Sequence, residues 1–130
     1  MIGLDTTAVI DLFKGDPAIK AFLEKNKEPV ATNIMNHLEV HFGIDPGNPK
    51  HAQEAKYYEE FFRNTYFLGL TPEVNKKASS IHWELKRKGT PIAKFDCIMA
   101  ACFLEHGVKR ILTRNTKDFK HVTGLAVIGY

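Results

Sequence analysis

Five short apolar segments, "MIGLD", "PVAT", "YFLGL", "KRILTRN" and "LAVIGY", are distributed along this chain, with sequence of helical period between them. Strands that alternate with helices cannot close as hairpins. They must run parallel, with the helices returning over the faces of the sheet. The expected architecture is therefore α/β, a three-layer fold with a central, mostly parallel five-stranded sheet flanked by helices.

The connecting helices carry their own punctuation. "TTAVIDLFKG" reads as a helix closed by Gly15, and "DPAIKAFLEKN" as one capped by Asp16 with Pro17 in its first position. "NIMNHLEVHFG" is a helix with Ile34, Leu38 and Phe42 on one stripe, a further helix covers about His51 to Arg63, and Thr71 with Pro72 opens a long one reaching Lys88. "KFDCIMAACFLEHG" is a helix, and a short helical turn near "TKDFKH" precedes the last strand.

A chain of 130 residues that is 44% hydrophobic builds one core of ordinary size, so residues 1–130 are expected to form a single domain. The apolar run from Cys97 to Leu104 is too short to span a bilayer, and an acidic residue at position 5 interrupts any leader pattern. A soluble, cytoplasmic protein with no membrane role is expected. Cys97 and Cys102 stand five apart on one helix, which does not bring their thiols together, and both are expected to be reduced. The net charge of +3 permits a polyanionic partner without specifying one.

The most informative residue is Asp96. As part of a helix it shares a stripe with Ile92, Met99, Ala100 and Phe103, so a carboxylate stands in an apolar face. Such a group needs a cation, a set of donors or a proton. Asp5, closing the first strand, and Glu39, at the border of an apolar stripe, are two further acids able to face the same rim, because ligands bind beyond the carboxyl ends of parallel strands. Asn115 and Asp118 in "LTRNTKDF" add oxygen ligands there, although Asn115 or Thr116 also suits the cap of the short helix that follows. Crowded carboxylates repel unless a hard divalent ion such as Mg²⁺ or Mn²⁺ neutralises them.

In order along the chain, "MIGLDTTAVIDLFKG", "HLEVHFG", "PIAKFDCIMAACFLEHG" and "ILTRNTKDFKHVTGLAVIGY" resemble the PIN-domain family, and specifically its VapC-type ribonuclease toxins. The resemblance implies a PIN fold and a Mg²⁺- or Mn²⁺-dependent endoribonuclease that hydrolyses RNA phosphodiester bonds. It places the acidic triad of metal ligands on Asp5, Glu39 and Asp96. The fourth acidic position of many members falls on Asn115, a departure that leaves Asp118 to serve in its place or from behind it and favours one metal over two. A cognate antitoxin, an RNA substrate and a homodimer built on Ile10, Phe13, Ile19, Phe22 and Leu23 are the implied partners. A PIN nuclease of RNA processing without an antitoxin, or a catalytically silent RNA-binding module, are the alternatives.

Thr6 and Thr7, next to Asp5, match the hydroxyl-bearing position of the first motif and are candidates to orient a ligand or water, or simply to start the helix. Lys94 and Arg114 are candidates for the RNA backbone, with Arg114 favoured because its strand end points to the rim. "HLEVH" places His37 and His41 on one helical face, but Glu39 is rotated about 200° from His37, so zinc coordination of the H-E-x-x-H kind is not expected. "LDTT" lacks the second aspartate of a haloacid-dehalogenase phosphatase, since Thr7 occupies its place.

Overall fold

A computed structural model describes residues 1–130. Five strands, β1 (Ile2–Leu4), β2 (Val30–Asn33), β3 (Tyr66–Leu68), β4 (Arg110–Leu112) and β5 (Ala126–Ile128), form one sheet in the order β3-β2-β1-β4-β5. Every pairing is parallel, so the sheet is wholly rather than mostly parallel. Every strand but β2 is shorter than its apolar segment because pairing stops where the chain turns toward the rim. "TRN", for example, leaves β4 after Leu112.

Seven helices cover the sheet: α1 (Thr6–Phe13), α2 (Pro17–Lys25), α3 (Ile34–Phe42), α4 (Ala52–Arg63), α5 (Pro72–Arg87), α6 (Lys94–Glu105) and α7 (Thr116–Phe119), with a 3-10 turn at Pro49–His51 ahead of α4. Asp16 caps α2 from its side chain and Thr71 caps α5, as their sequence positions indicate. No helix is long and apolar enough to cross a membrane.

The two faces of the sheet carry separate cores. Ile2, Leu4 and Leu112 pack with Ala8, Val9 and Ile19 of the first two helices and with Val40, Tyr58 and Phe62. Ala31 and Ile111 pack on the other side with α5, α6 and α7, in a cluster that includes Met99, Ala100 and Phe103. Ile19 is consumed by the core, and Phe13, Phe22 and Leu23 are partly buried against it, so the monomer uses much of the surface the sequence offers for a dimer. Both cysteines are buried and free.

Helix α3 corrects the sequence reading. Its buried residues are Met35, Asn36 and Val40, while Leu38 and Phe42 are exposed, Phe42 at 73%. Two asparagines fill the position an apolar stripe would normally take. Asn33 accepts from the Met35 amide and Asn36 bonds back to the Asn33 amide, a reciprocal cap that starts the helix. Their remaining amide protons go to the Met99 carbonyl and to the Leu4 carbonyl. The helix is thus fastened to α6 and β1 by hydrogen bonds, and its polar sequence reverses the stripe.

Gly3 fixes how closely α6 approaches. Gly3 lies on β1 between Ala31 and Ile111, and a Cβ built there would meet the Phe103 ring at 2.8 Å. The missing side chain lets the ring settle on the central strand. Asp96 is seven residues earlier on the same helix, so this contact also sets its height over the sheet. Gly3→Ala should lower unfolding free energy by roughly 1–3 kcal/mol through overpacking, and Phe103→Leu in the same chain should recover part of the loss. Denaturant melts of the two variants and the double variant measure both effects. An unchanged midpoint for Gly3→Ala would rule out this close packing.

Candidate functional site

The strand order turns at β1. The chain moves outward through β2 and β3, then crosses to β4 and β5 on the other side. That leaves a crevice beyond the carboxyl ends of β1 and β4, the position such sheets use for ligands. Asp5, directly after β1, lies in this crevice and is buried.

Its two oxygens have separate partners. Oδ1 accepts from the Thr6 amide at 2.7 Å and so caps α1. Oδ2 accepts from the Thr113 hydroxyl at 2.6 Å and from the Thr7 hydroxyl at 2.9 Å. Capping and site chemistry, alternatives at the level of sequence, coexist on one carboxylate. Thr6 turns the other way and donates to Glu39 Oε1 at 2.7 Å. Glu39 is one turn along α3 from Asn36, whose side chain is itself bonded to Thr6 Oγ1 at 3.2 Å. The hydroxyls of Thr6 and Thr7 therefore hold two different acids.

Asp96 stands in the first turn of α6, half-buried, above fully buried Met99, Ala100 and Phe103. Ile92 precedes the helix but packs against the same core. Burial, then the negative charges of Asp5, Glu39 and Asp118, push the Asp96 carboxyl up to about 6. Burial likewise raises Glu39, partly offset by the Thr6 hydrogen bond, with a further push from Asp5. The ion pairs of the chain involve Glu28, Glu59, Glu84 and Asp11, so Asp5, Glu39, Asp96 and Asp118 share no lysine or arginine partner.

Asn115 occupies the N-cap of α7 without capping it through its side chain. Its amide donates instead to Asp118 Oδ2 at 3.1 Å. The acid at this corner is thus Asp118, held by a neutral neighbour. As their side chains stand, no three of the His, Cys, Asp and Glu residues gather closely enough to enclose an ion. Asp5 and Glu39 are turned toward hydroxyls and Asp118 toward an amide, while Asp96 feels the charge of all three, and carboxylates so grouped are hard oxygen donors of the kind a divalent cation takes.

The two basic candidates separate. Lys94 lines a cavity of about 270 Å³ between α5 and α6, with Asn75, Ser79 and His82 among its other walls. Arg114 stays at the rim, its amide bonded to Thr7 Oγ1 at 3.3 Å and its Nε paired with Asp11 at 2.8 Å. His37 and His41 stack at 4.0 Å, and His41 Nδ1 lies 2.7 Å from the His37 carbonyl.

Thr113, Asn36, Asp11 and Tyr130 are the polar residues sequence reading missed. Thr113 is fully buried, a polar residue ending a strand just ahead of "RN", and that position is the signal that would have found it. Asn36, three residues after Asn33, carries the reciprocal-cap spacing. Nothing local marks Asp11 or Tyr130, which are 119 residues apart and meet only in the fold.

Comparison with known proteins identifies the family and the fold. The PIN domain family model matches residues 2–125. Ribonuclease VapC1 of Rickettsia felis is 26% identical over 129 residues, covering 96% of this chain and 92% of that protein. The solved structure of DNA-bound VapBC from Salmonella typhimurium superposes with a TM-score of 0.83 at 19% identity, covering 98% of this chain and 96% of that one. A toxin-antitoxin complex from Klebsiella pneumoniae gives 0.78 at 23% identity, with the same shares covered. At these identities the two solved structures are alike in fold.

The raised Asp96 carboxyl makes a prediction about stability. An acid whose folded pKa lies above its unfolded value imposes no penalty below the unfolded value of 3.8. The penalty grows as pH rises from there and is complete above about 6. Asp96→Asn keeps the shape and removes the charge. In EDTA its melting temperature should exceed the parent's by several degrees at pH 7.5, with the gap closing toward pH 4. Equal melting temperatures at pH 7.5 would show that Asp96 is not strained by its neighbours.

Proposed function

Starting from the premise that this chain belongs to the PIN-domain family, we propose that it is a Mg²⁺- or Mn²⁺-dependent endoribonuclease of the VapC type, the toxin of a toxin-antitoxin pair. The observation that carries this reading is the convergence of Asp5, Glu39, Asp96 and Asp118 at the switch of strand order without a cationic side chain to neutralise them. A structural cluster would be expected to include an arginine or lysine; a metal site leaves that charge to the ion. The name of the Rickettsia felis relative and the Klebsiella pneumoniae complex support the ribonuclease and antitoxin parts. A homodimer working in the cytoplasm, with RNA as substrate, completes the proposal.

Asp5, Glu39 and Asp96 would hold the ion. When bound, a divalent cation supplies charge for the phosphoryl oxygens and acidifies water, the two needs of phosphodiester hydrolysis. The protein's own contribution is orientation. Thr113 and Thr7 keep Asp5 from rotating, and Thr6 keeps Glu39 turned inward. Asn115 steadies Asp118, which takes the fourth acidic place as a neighbour of Asp96. Water adds across the P–O bond while these carboxylates stay fixed, so little reorganisation accompanies the growth of charge.

Purified protein should cut a mixed RNA pool in Mg²⁺ or Mn²⁺, and EDTA should stop it. Asp96→Asn should lower the rate at least about 100-fold while remaining folded by circular dichroism. Either metal should also raise the parent's melting temperature and leave that of Asp96→Asn nearly unchanged. Metal-independent melting together with uncut RNA would favour a silent RNA-binding module.

A further inference from the structure

Asp11 lies in the middle of α1 with only 6% of its surface exposed, outside the acidic cluster. Its Oδ2 receives two donors from distant parts of the chain, the Tyr130 hydroxyl at 2.6 Å and the Arg114 guanidinium, whose Nε stands 2.8 Å away. The arginine side chain is 58% exposed, so the pair joins a buried anion to a cation at the surface. Its main chain is anchored too, because the Arg114 amide bonds to Thr7 Oγ1 and that hydroxyl bonds to Asp5.

Burying the Asp11 carboxylate to pair it with a half-exposed arginine is a poor way to gain stability, since an apolar residue of similar size usually serves a buried position as well or better. What it provides is direction. A guanidinium held through Nε has little freedom, and its outer edge, formed by the two terminal amino groups, is the planar fork that fits a phosphate. Because the Arg114 main chain is tied through Thr7 to Asp5, that edge belongs to the rim of a carboxylate cluster that repels a polyanion, where an oriented positive charge is most needed.

We propose that Asp11 and Tyr130 are positioning residues that hold the Arg114 guanidinium at the rim of the acidic site, with its outer edge presented to a phosphate of the RNA backbone. This rests on the ribonuclease reading. Arg114 touches the substrate, and the other two act through it. Tyr130 fixes Asp11 Oδ2 by a short hydrogen bond, Asp11 fixes the arginine, and neither meets RNA.

The test uses the full chain and a fluorescein-labelled single-stranded RNA of mixed sequence. Cleavage is followed in Mn²⁺, and binding is followed by anisotropy on the Asp96→Asn background, which does not depend on turnover. Arg114→Ala should weaken binding roughly five- to tenfold and reduce the salt slope by about 0.7, the value for one phosphate on a single strand. Arg114→Lys should not restore it, because an ammonium lacks the fork. Asp11→Asn and Tyr130→Phe should raise KM roughly threefold with kcat within twofold, and neither should add to the effect of Arg114→Ala. Nitrogen-15 NMR should show a slowly exchanging Arg114 Nε proton in the parent that is lost in Asp11→Asn.

A freely exchanging Nε proton in the parent would overturn the positioning role. Full binding by Arg114→Ala, or an Asp11→Asn effect that persists in the Arg114→Ala background, would overturn the route through the arginine. A parent that neither binds nor cuts RNA, with the Nε proton still protected, would overturn the ribonuclease reading and the phosphate contact with it, leaving the clasp as a structural feature.

Discussion

Asp5 carries a charge into a buried place at the end of the central strand, and much of the rim is arranged to receive it. One oxygen begins α1 by capping it, and the other takes hydroxyls from α1 and from the end of β4. The first helix, the central strand and its neighbour therefore meet at a single carboxylate. One carboxylate thus serves both the start of α1 and the acidic crevice, so the site and the start of the fold share the same atom pair.

Around this anchor the other acids are placed by packing. Glu39 reaches the crevice because two asparagines, rather than an apolar stripe, seat α3 on the sheet. Asp96 reaches it because Gly3 lets the Phe103 ring come close to β1. Both placements oppose the preference of a carboxylate for water, as the raised pKa values of Glu39 and Asp96 register. Crowded carboxylates of this kind repel one another, so the residues that would hold a divalent cation are also a cost to folding.

The departure at Asn115 is informative on this view. An aspartate there would have added another charge to a cluster that already includes Asp118. The amide instead donates to Asp118 and fixes it. The corner thus holds one acid, Asp118, in a fixed orientation, an arrangement that sequence alone presents as a missing acid.

The order of strands and helices, the caps at Asp16 and Thr71, and the acids Asp5, Glu39, Asp96 and Asp118 were all legible in the sequence, because alternation, capping chemistry and a carboxylate in an apolar face are local patterns. The outward face of Leu38 and Phe42 was not, since the choice of buried stripe on α3 depends on carbonyls offered by β1 and α6. Thr113 became a partner of Asp5, and Tyr130 a partner of Asp11, only when strands from opposite ends of the chain were laid side by side. The sequence by itself determined which elements form and which acids exist to be gathered. The tertiary structure decided that Thr113 joins Asp5, that Thr6 holds Glu39 and that Arg114 and Tyr130 meet Asp11, because those contacts join residues too far apart in the chain for any local pattern to connect them.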